Sequence, residues 1–205
     1  MLFKIQNLEY KSDNQSILKN KNFFLEKNKH LLIHGPSGSG KTTLINLMSG
    51  LLKPTYGKII FENKDYSTLN EEQIDKLRFD NFGFIFQKLH LIGHLNVEQN
   101  IILGIKKKKS QNVDKLIENL GLLKLKKQLA RNLSFGEAQR VAIARGVANN
   151  PRVIFADEPT SSLDYKNAKN VMNLIFSQVK QTEATLIVCT HDDRIKEYFS
   201  NLMEI

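Results

Sequence analysis

Apolar and polar residues alternate through "FKIQNLEY", residues 3 to 10, which predicts a β-strand buried on one face only. Extended pattern resumes in "NFFLEKNKHLLIHG", where the unbroken apolar trio Leu31, Leu32 and Ile33 predicts a strand covered on both faces. Gly57 to Phe61 and Phe82 to Phe86 have the same character, with the polar helix candidate "NEEQIDKLRF" between them. Between Gln87 and Asn132 the period becomes helical, Val113, Leu116, Ile117 and Leu120 sharing one face before Gly121 breaks it. Farther on, "RVIFADE" and "ATLIVCTHD" are near-continuous apolar strands, separated by a helix from about Tyr165 to Lys180. Apolar strands alternating with helices predict an α/β fold with a parallel sheet covered on both faces. A helical subdomain inserted at about 88–150 is expected within one domain spanning residues 1–205, with no internal repeat.

Composition changes this picture little. The chain has 205 residues, 41% hydrophobic and 25% charged, enough to bury a real core. No apolar run approaches the length needed to cross a bilayer, and the first residues do not resemble a signal peptide, so a cytoplasmic protein is expected. Its single cysteine, Cys189, lies in an apolar strand and is expected to be a buried, unpaired thiol. The net charge of +9 admits nucleic acid or an anionic membrane surface as a partner. The lysines are nevertheless scattered among many asparagines. Only "IKKKKSQN", Ile105 to Asn112, concentrates them, and such runs ordinarily solvate a loop.

Three stretches carry chemistry. "GPSGSGKTT" follows a predicted strand and precedes the apolar helix "LINLMSG", matching the phosphate-binding pattern G-x-x-x-x-G-K-[ST] in the strand–turn–helix context it requires. Its glycines let backbone N–H groups curl around phosphates; Lys41 reaches the β- and γ-oxygens, and the Thr42 hydroxyl can ligate Mg2+. "VIFADE" ends a strand in two acids, where open α/β sheets bind ligands. There Asp157 can hold Mg2+ and Glu158 can polarise an attacking water. In "RNLSFGEAQRVAIARG", Ser134 is an N-cap with Glu137 three residues later. Two readings stand: a capping box that starts a helix, or an anion site made of free N–H groups at the positive end of the helix dipole.

Taken together, these motifs make the chain resemble the nucleotide-binding subunit of an ATP-binding-cassette (ABC) system over essentially its whole length. "GPSGSGKTT" resembles Walker A, "FIFQ" supplies the Q-loop glutamine Gln87, and "LSFGE" stands where the LSGGQ signature stands. "VIFADE" resembles Walker B, "SSLD" the D-loop with Asp164, and "CTHD" carries the switch histidine His191. The resemblance implies a P-loop core with a parallel sheet, an N-terminal antiparallel β subdomain and an inserted α-helical subdomain. It implies ATP and Mg2+ as cofactors, cradled by Gly35, Pro36, Ser37, Gly38, Ser39, Gly40, Lys41, Thr42 and Thr43. Glu158, His191 and Gln87 become the catalytic group, with Thr42, Gln87 and Asp157 around the metal. Tyr10 falls where the family places an aromatic that stacks on adenine. His34, His90 and His94 match no motif and are expected to be ordinary packing or surface residues.

In this family two cassettes close head to tail on two ATP molecules, the signature of one capping the γ-phosphate held by the other. Ser134, Gly136 and Glu137 would then serve the partner's nucleotide. Phe135 and Glu137 depart from LSGGQ, while Ser134 and Gly136 are kept. The implied function is ATP hydrolysis by a homodimer that energises integral membrane subunits, from a peripheral position on the inner face of the cell membrane. Within the family, "ADEPTSSLD" and "FQKLHLIGHLNVEQNI" resemble the LolD, MacB and FtsE group most, which suggests lipoprotein release or MacB-like export. Alternatives are an FtsE-like cell-division regulator and an ABC ATPase acting on nucleic acid or the ribosome. The last usually carries long coiled-coil insertions or a second cassette, and neither is seen here.

Overall fold

In the computed structural model, residues 1–13, 15–105 and 113–205 are described. The lysine run that follows Ile105 lies outside them. The first two strands, β1 (Phe3–Ser12) and β2 (Gln15–Leu25), form an antiparallel hairpin. Asn7 and Asn20 take left-handed backbone at the irregular part of its register, a conformation asparagine tolerates better than most residues. β4 (Tyr56–Phe61) pairs with the other edge of β1, and the two-residue β5 (Lys64–Asp65) completes a four-stranded sheet in the order β2-β1-β4-β5.

The second sheet is wholly parallel. It runs β6 (Phe82–Ile85), β7 (Val153–Asp157), β8 (Thr185–Thr190), β3 (Leu31–His34) and β9 (Leu202–Glu204). The period of two sorts its side chains into two cores. Ile33, Val153, Phe155, Ile187 and Cys189 face the antiparallel sheet and α1 (Lys41–Met48). Leu32, Ile154, Ala156, Leu186 and Val188 face α6 (Tyr165–Thr182). That helix is amphipathic by design of its spacing, burying Ala168, Met172, Ile175 and Val179. Its N-cap is Asp164, whose carboxylate accepts from the Asn167 N–H at 2.9 Å. The polar helix α2 (Glu71–Asn81) opens on a reciprocal capping box between Asn70 and Gln73 and buries only Ile74 and Leu77.

A third core lies in the helical stretch. Val97 and Ile101 of α3 (Val97–Ile102) and Val113 and Ile117 of α4 (Val113–Asn119) pack with Leu120 and Leu122 against Val141 and Ala144 of α5 (Phe135–Val147). Gly121 turns the chain after α4 with φ of +66°. Cys189 is fully buried in β8 and unpaired. β9 and β5 were not expected from the hydropathy pattern. Each is too short, at three and two residues, to show a period.

Candidate functional site

β6, β7, β8 and β3 are neighbours, so their C-terminal ends deliver four loops to one edge of the sheet. Gln87 follows β6, Asp157 ends β7 with Glu158 next, Thr190 ends β8 with His191 next, and the glycine-rich loop follows β3. This gathers residues more than a hundred positions apart in the chain. Together the loop, Gln87, Glu158 and His191 line a cleft of about 600 Å³, closed on one side by Gln15, Ser16 and Ile17 of β2. A larger hollow of about 920 Å³, between the end of α1, β4 and α2, contains none of these groups.

Within the loop, Gly38 and Gly40 have φ of +82° and +97°, a region that costs L-residues energy. Gly40 is the N-cap of α1, with no side chain capping the helix and no acid in its first turn. The first N–H groups of α1 therefore face the cleft without an internal side-chain acceptor, the arrangement that receives phosphate oxygens. Lys41 is buried, its Nζ donating to the carbonyls of Gly35 and Pro36 at 2.7 and 2.8 Å. The Thr42 hydroxyl donates to both oxygens of Asp157, at 3.1 and 2.9 Å. Burial pushes the Asp157 carboxyl up; the Thr42 hydrogen bond opposes this, Glu158 adds to it, and Lys41 opposes it. A hydroxyl and a carboxylate in contact offer hard oxygen donors suited to Mg2+.

Glu158 sits at the centre of the site. Its backbone is left-handed, with φ of 49°, a strain on the order of 1–3 kcal/mol for a residue with a side chain. Its N–H donates to the Cys189 carbonyl at 2.8 Å. One carboxylate oxygen accepts from the Thr190 hydroxyl at 2.8 Å; the other lies 2.9 Å from His191 Nδ1 and 3.7 Å from Lys41 Nζ. Thr190 is fully buried and was missed in the sequence. A threonine closing an apolar strand beside the candidate histidine is the signal that could have found it. Gln87 Nε2 donates to Ser161 Oγ at 3.1 Å, which joins the loop after β6 to the "SSLD" turn. Arg194 ties that turn from the other side, donating to the Leu163 carbonyl and to Asp192, whose carboxylate it holds below the usual range.

Not every candidate residue reaches the cleft. Tyr10 is partly buried against the core opposite Leu18 on β2, and does not line the cleft. Ser134, Gly136 and Glu137 also lie off it. There the structure shows a complete capping box: the Ser134 N–H and hydroxyl both donate to one Glu137 oxygen at 2.8 Å, and the Glu137 N–H donates to Ser134 Oγ at 3.4 Å. The Ser134 N–H, then its hydroxyl, pull the Glu137 carboxyl down. The Phe135 ring is 53% exposed, so the side chain that replaces a signature glycine points into solvent. Asp164 is the cap of α6 described above. Of the other histidines, His34 lies 3.2 Å from Asp193 and His90 packs edge-on against Phe86.

A strand, a glycine-rich loop and a helix facing two carboxylates at the end of a parallel sheet define a phosphate-loop ATPase. Residues 18–161 match the family described as ABC transporter. The chain belongs to that family. It is 38% identical over 197 residues to the putative hemin import ATP-binding protein HrtA of Staphylococcus haemolyticus, covering 92% of this chain and 88% of the relative. The HrtA protein of Staphylococcus aureus strain MRSA252 is also 38% identical, over 195 residues. Among solved structures, the ATP-binding cassette MJ0796, dimeric and bound to ADP and Pi after hydrolysis, superposes with a TM-score of 0.86 at 31% identity, over 100% of this chain and 94% of that one. CbiO1 of Clostridium perfringens, part of the ABC transporter complex CbiONQ, superposes at 0.87 and 32% identity, over 99% and 84%. The expected α/β cassette fold, with its antiparallel β subdomain beside a parallel sheet, is the fold observed.

Proposed function

We propose that this chain hydrolyses ATP in a head-to-tail homodimer and passes the closing motion to integral membrane subunits of a transport complex. The contact of Glu158 with Thr190, His191 and Lys41 at the mouth of the phosphate loop carries the hydrolysis in this reading, and the likeness to dimeric MJ0796 and to CbiO1 supports the dimer and the membrane subunits. In it, the N–H groups of residues 38–43 and Lys41 hold the β- and γ-phosphates, and Thr42 and Asp157 hold Mg2+. The Thr42 hydroxyl against both Asp157 oxygens suits Mg2+, which takes one or two protein ligands and completes its shell with phosphates and water. The ion supplies charge neutralisation on the phosphates. Glu158 accepts the proton of the attacking water, while His191 and Gln87 orient the water and the γ-phosphate. Tyr10, outside the phosphate cleft, is assigned to the adenine on the family resemblance alone, and Ser134, Gly136, Glu137 and Asp164 are assigned to the partner's nucleotide on the same ground.

Among the described residues no helix is long and apolar enough to cross a membrane. The transport path then belongs to partner subunits, with this chain peripheral on the cytoplasmic face and the helical lobe of about 88–150 inserted in a single domain. The names of the relatives favour hemin as the cargo of such a complex; LolD-like lipoprotein release draws no support from them. Affinity purification from detergent-solubilised membranes, with mass spectrometry of the co-purifying chain, tests the transport reading. An integral membrane subunit is expected, and recovery of ribosomes or nucleic acid instead would overturn it. Turnover is tested by Glu158→Gln: hydrolysis is expected to fall about a hundredfold or more while ATP still binds. Near-parental turnover would place the base elsewhere.

A further inference from the structure

α5 begins at the signature serine and runs past both loops that carry the proposed catalytic groups. It lies close on β6, backbone against backbone at Gly83 and Gly146, with Ile85 packed in one core with Ile143 and Val147. A Cβ on Gly83 would stand 1.9 Å from the Gly146 carbonyl oxygen, and one on Gly146 would stand 2.8 Å from that of Phe84. Such close approach leaves the helix little freedom to slide over the strand that leads to Gln87.

Two side chains of α5 extend this contact to the loops. Arg145 donates from its two terminal nitrogens to consecutive carbonyls, His90 at 2.6 Å and Leu89 at 2.7 Å. At this turn His90 is left-handed, with φ of 47°. Among the described residues Arg145 has no ion pair, and burial pulls its guanidinium pKa down. A desolvated cation whose fork is filled by backbone carbonyls is a clamp on that turn. Near the start of the helix, buried Gln139 donates from Nε2 to the Pro159 carbonyl at 3.0 Å, one residue past Glu158.

We propose that Arg145 is a positioning residue for hydrolysis: it locks the turn after Gln87 to α5, as Gln139 locks the turn after Glu158, so that movement of Ser134 reaches both groups within one chain. The inference rests on the roles proposed above for Gln87, Glu158 and Ser134. If Ser134 meets the partner's ATP, this link makes the state of one composite site felt at the other, through a single helix held at both loops.

Arg145→Met and Arg145→Lys test it, with melting temperature, binding of a fluorescent ATP analogue, kcat, KM and, in a Glu158→Gln background, ATP-dependent dimer closure. For Arg145→Met, kcat is expected to fall about tenfold while analogue affinity stays within about twofold of the parent, because only the placement of the loop is lost. Closure of the double variant should require more ATP than Glu158→Gln alone. Arg145→Lys, with a point donor in place of the fork, should lie between parent and Arg145→Met in kcat. Parental kcat and closure in a folded Arg145→Met protein would overturn the proposal. So would a kcat loss matched by an equal loss of analogue binding, which marks general damage. If Arg145→Met does not fold, Arg145→Lys decides: lowered kcat with intact binding supports the clamp, unchanged kcat overturns it. Normal hydrolysis by Glu158→Gln alone would defeat the catalytic reading instead, and the closure of Arg145 variants against their analogue binding would still report on the link.

Discussion

Two helices of this chain start beside glycines and treat their first N–H groups in opposite ways. α1 opens on a left-handed Gly40 with no capping side chain and no acid in its first turn. α5 opens on Ser134, closed over by Glu137 in both directions. Both ends carry the same positive dipole. The first end lies inside the cleft beside Lys41, where its donors can be kept for phosphate. The second lies on the exposed surface, where uncapped donors would weaken the helix until another group arrived. In the proposed dimer, a side-chain cap that can yield to the partner's γ-phosphate serves both conditions.

The contrast can be broken at either end. The largest effect is expected at the bare one. Lys41→Ala removes the charged donor of the loop and should weaken binding of a fluorescent ATP analogue by about a hundredfold, measured below a melting temperature lowered by the two loop carbonyls left unpaired. Parental affinity in that variant would remove the phosphate-loop assignment. Next comes the acid that faces this end. Thr190→Val deletes the hydroxyl that donates to Glu158 at 2.8 Å but keeps the shape of the side chain. Steady-state kinetics should show kcat lower by about tenfold with nucleotide affinity unchanged. An unaltered kcat would mean that His191 and Lys41 hold the carboxylate without the hydroxyl.

At the capped end the effects are smaller. Glu137→Gln keeps a residue able to complete the capping box and removes a negative charge from the path of the incoming phosphate. Dimer closure, followed by light scattering, should then need about two- to fivefold less ATP. A rightward shift would show that the carboxylate helps closure. The same residue gives a pH signature. Because its folded pKa lies below the ordinary glutamate value, its contribution to stability is present above that value and is lost as pH falls through the lowered one. The melting-temperature gap between parent and Glu137→Ala should therefore narrow below about pH 4.

Much of the fold was legible because the parallel strands are buried on both faces. "RVIFADE" and "ATLIVCTH" have no polar alternation, and each ends in the residues that meet at the cleft. The phosphate loop was legible for a different reason: its glycines, lysine and threonine act within nine consecutive residues, so local spacing holds the whole device. What escaped was made by distant chain segments. Nothing near Gln87 announces Ser161, seventy-four residues away, and nothing near Arg145 announces the carbonyls of residues 89 and 90. The Gly83–Gly146 contact is likewise a product of packing, since each glycine alone is only a weak helix or strand residue. At Ser134 the two readings of the sequence meet. The capping box is present, and its geometry leaves the anion question to an experiment with two chains.

That experiment mixes Lys41→Ala protein with Ser134→Arg protein. The first lesion ruins a chain's own loop; the second places bulk and charge at the signature that faces its partner's nucleotide. Each homodimer is expected to be inactive. In the mixed dimer, the intact loop of the Ser134→Arg chain faces the intact signature of the Lys41→Ala chain, and both lesions fall in the other site. ATP-dependent closure should reappear on mixing, measured with the membrane partner present and alongside turnover. Ser134→Arg homodimers that close on ATP like the parent, or a mixture as inert as its components, would contradict the head-to-tail site and leave residues 134–137 as a helix cap alone.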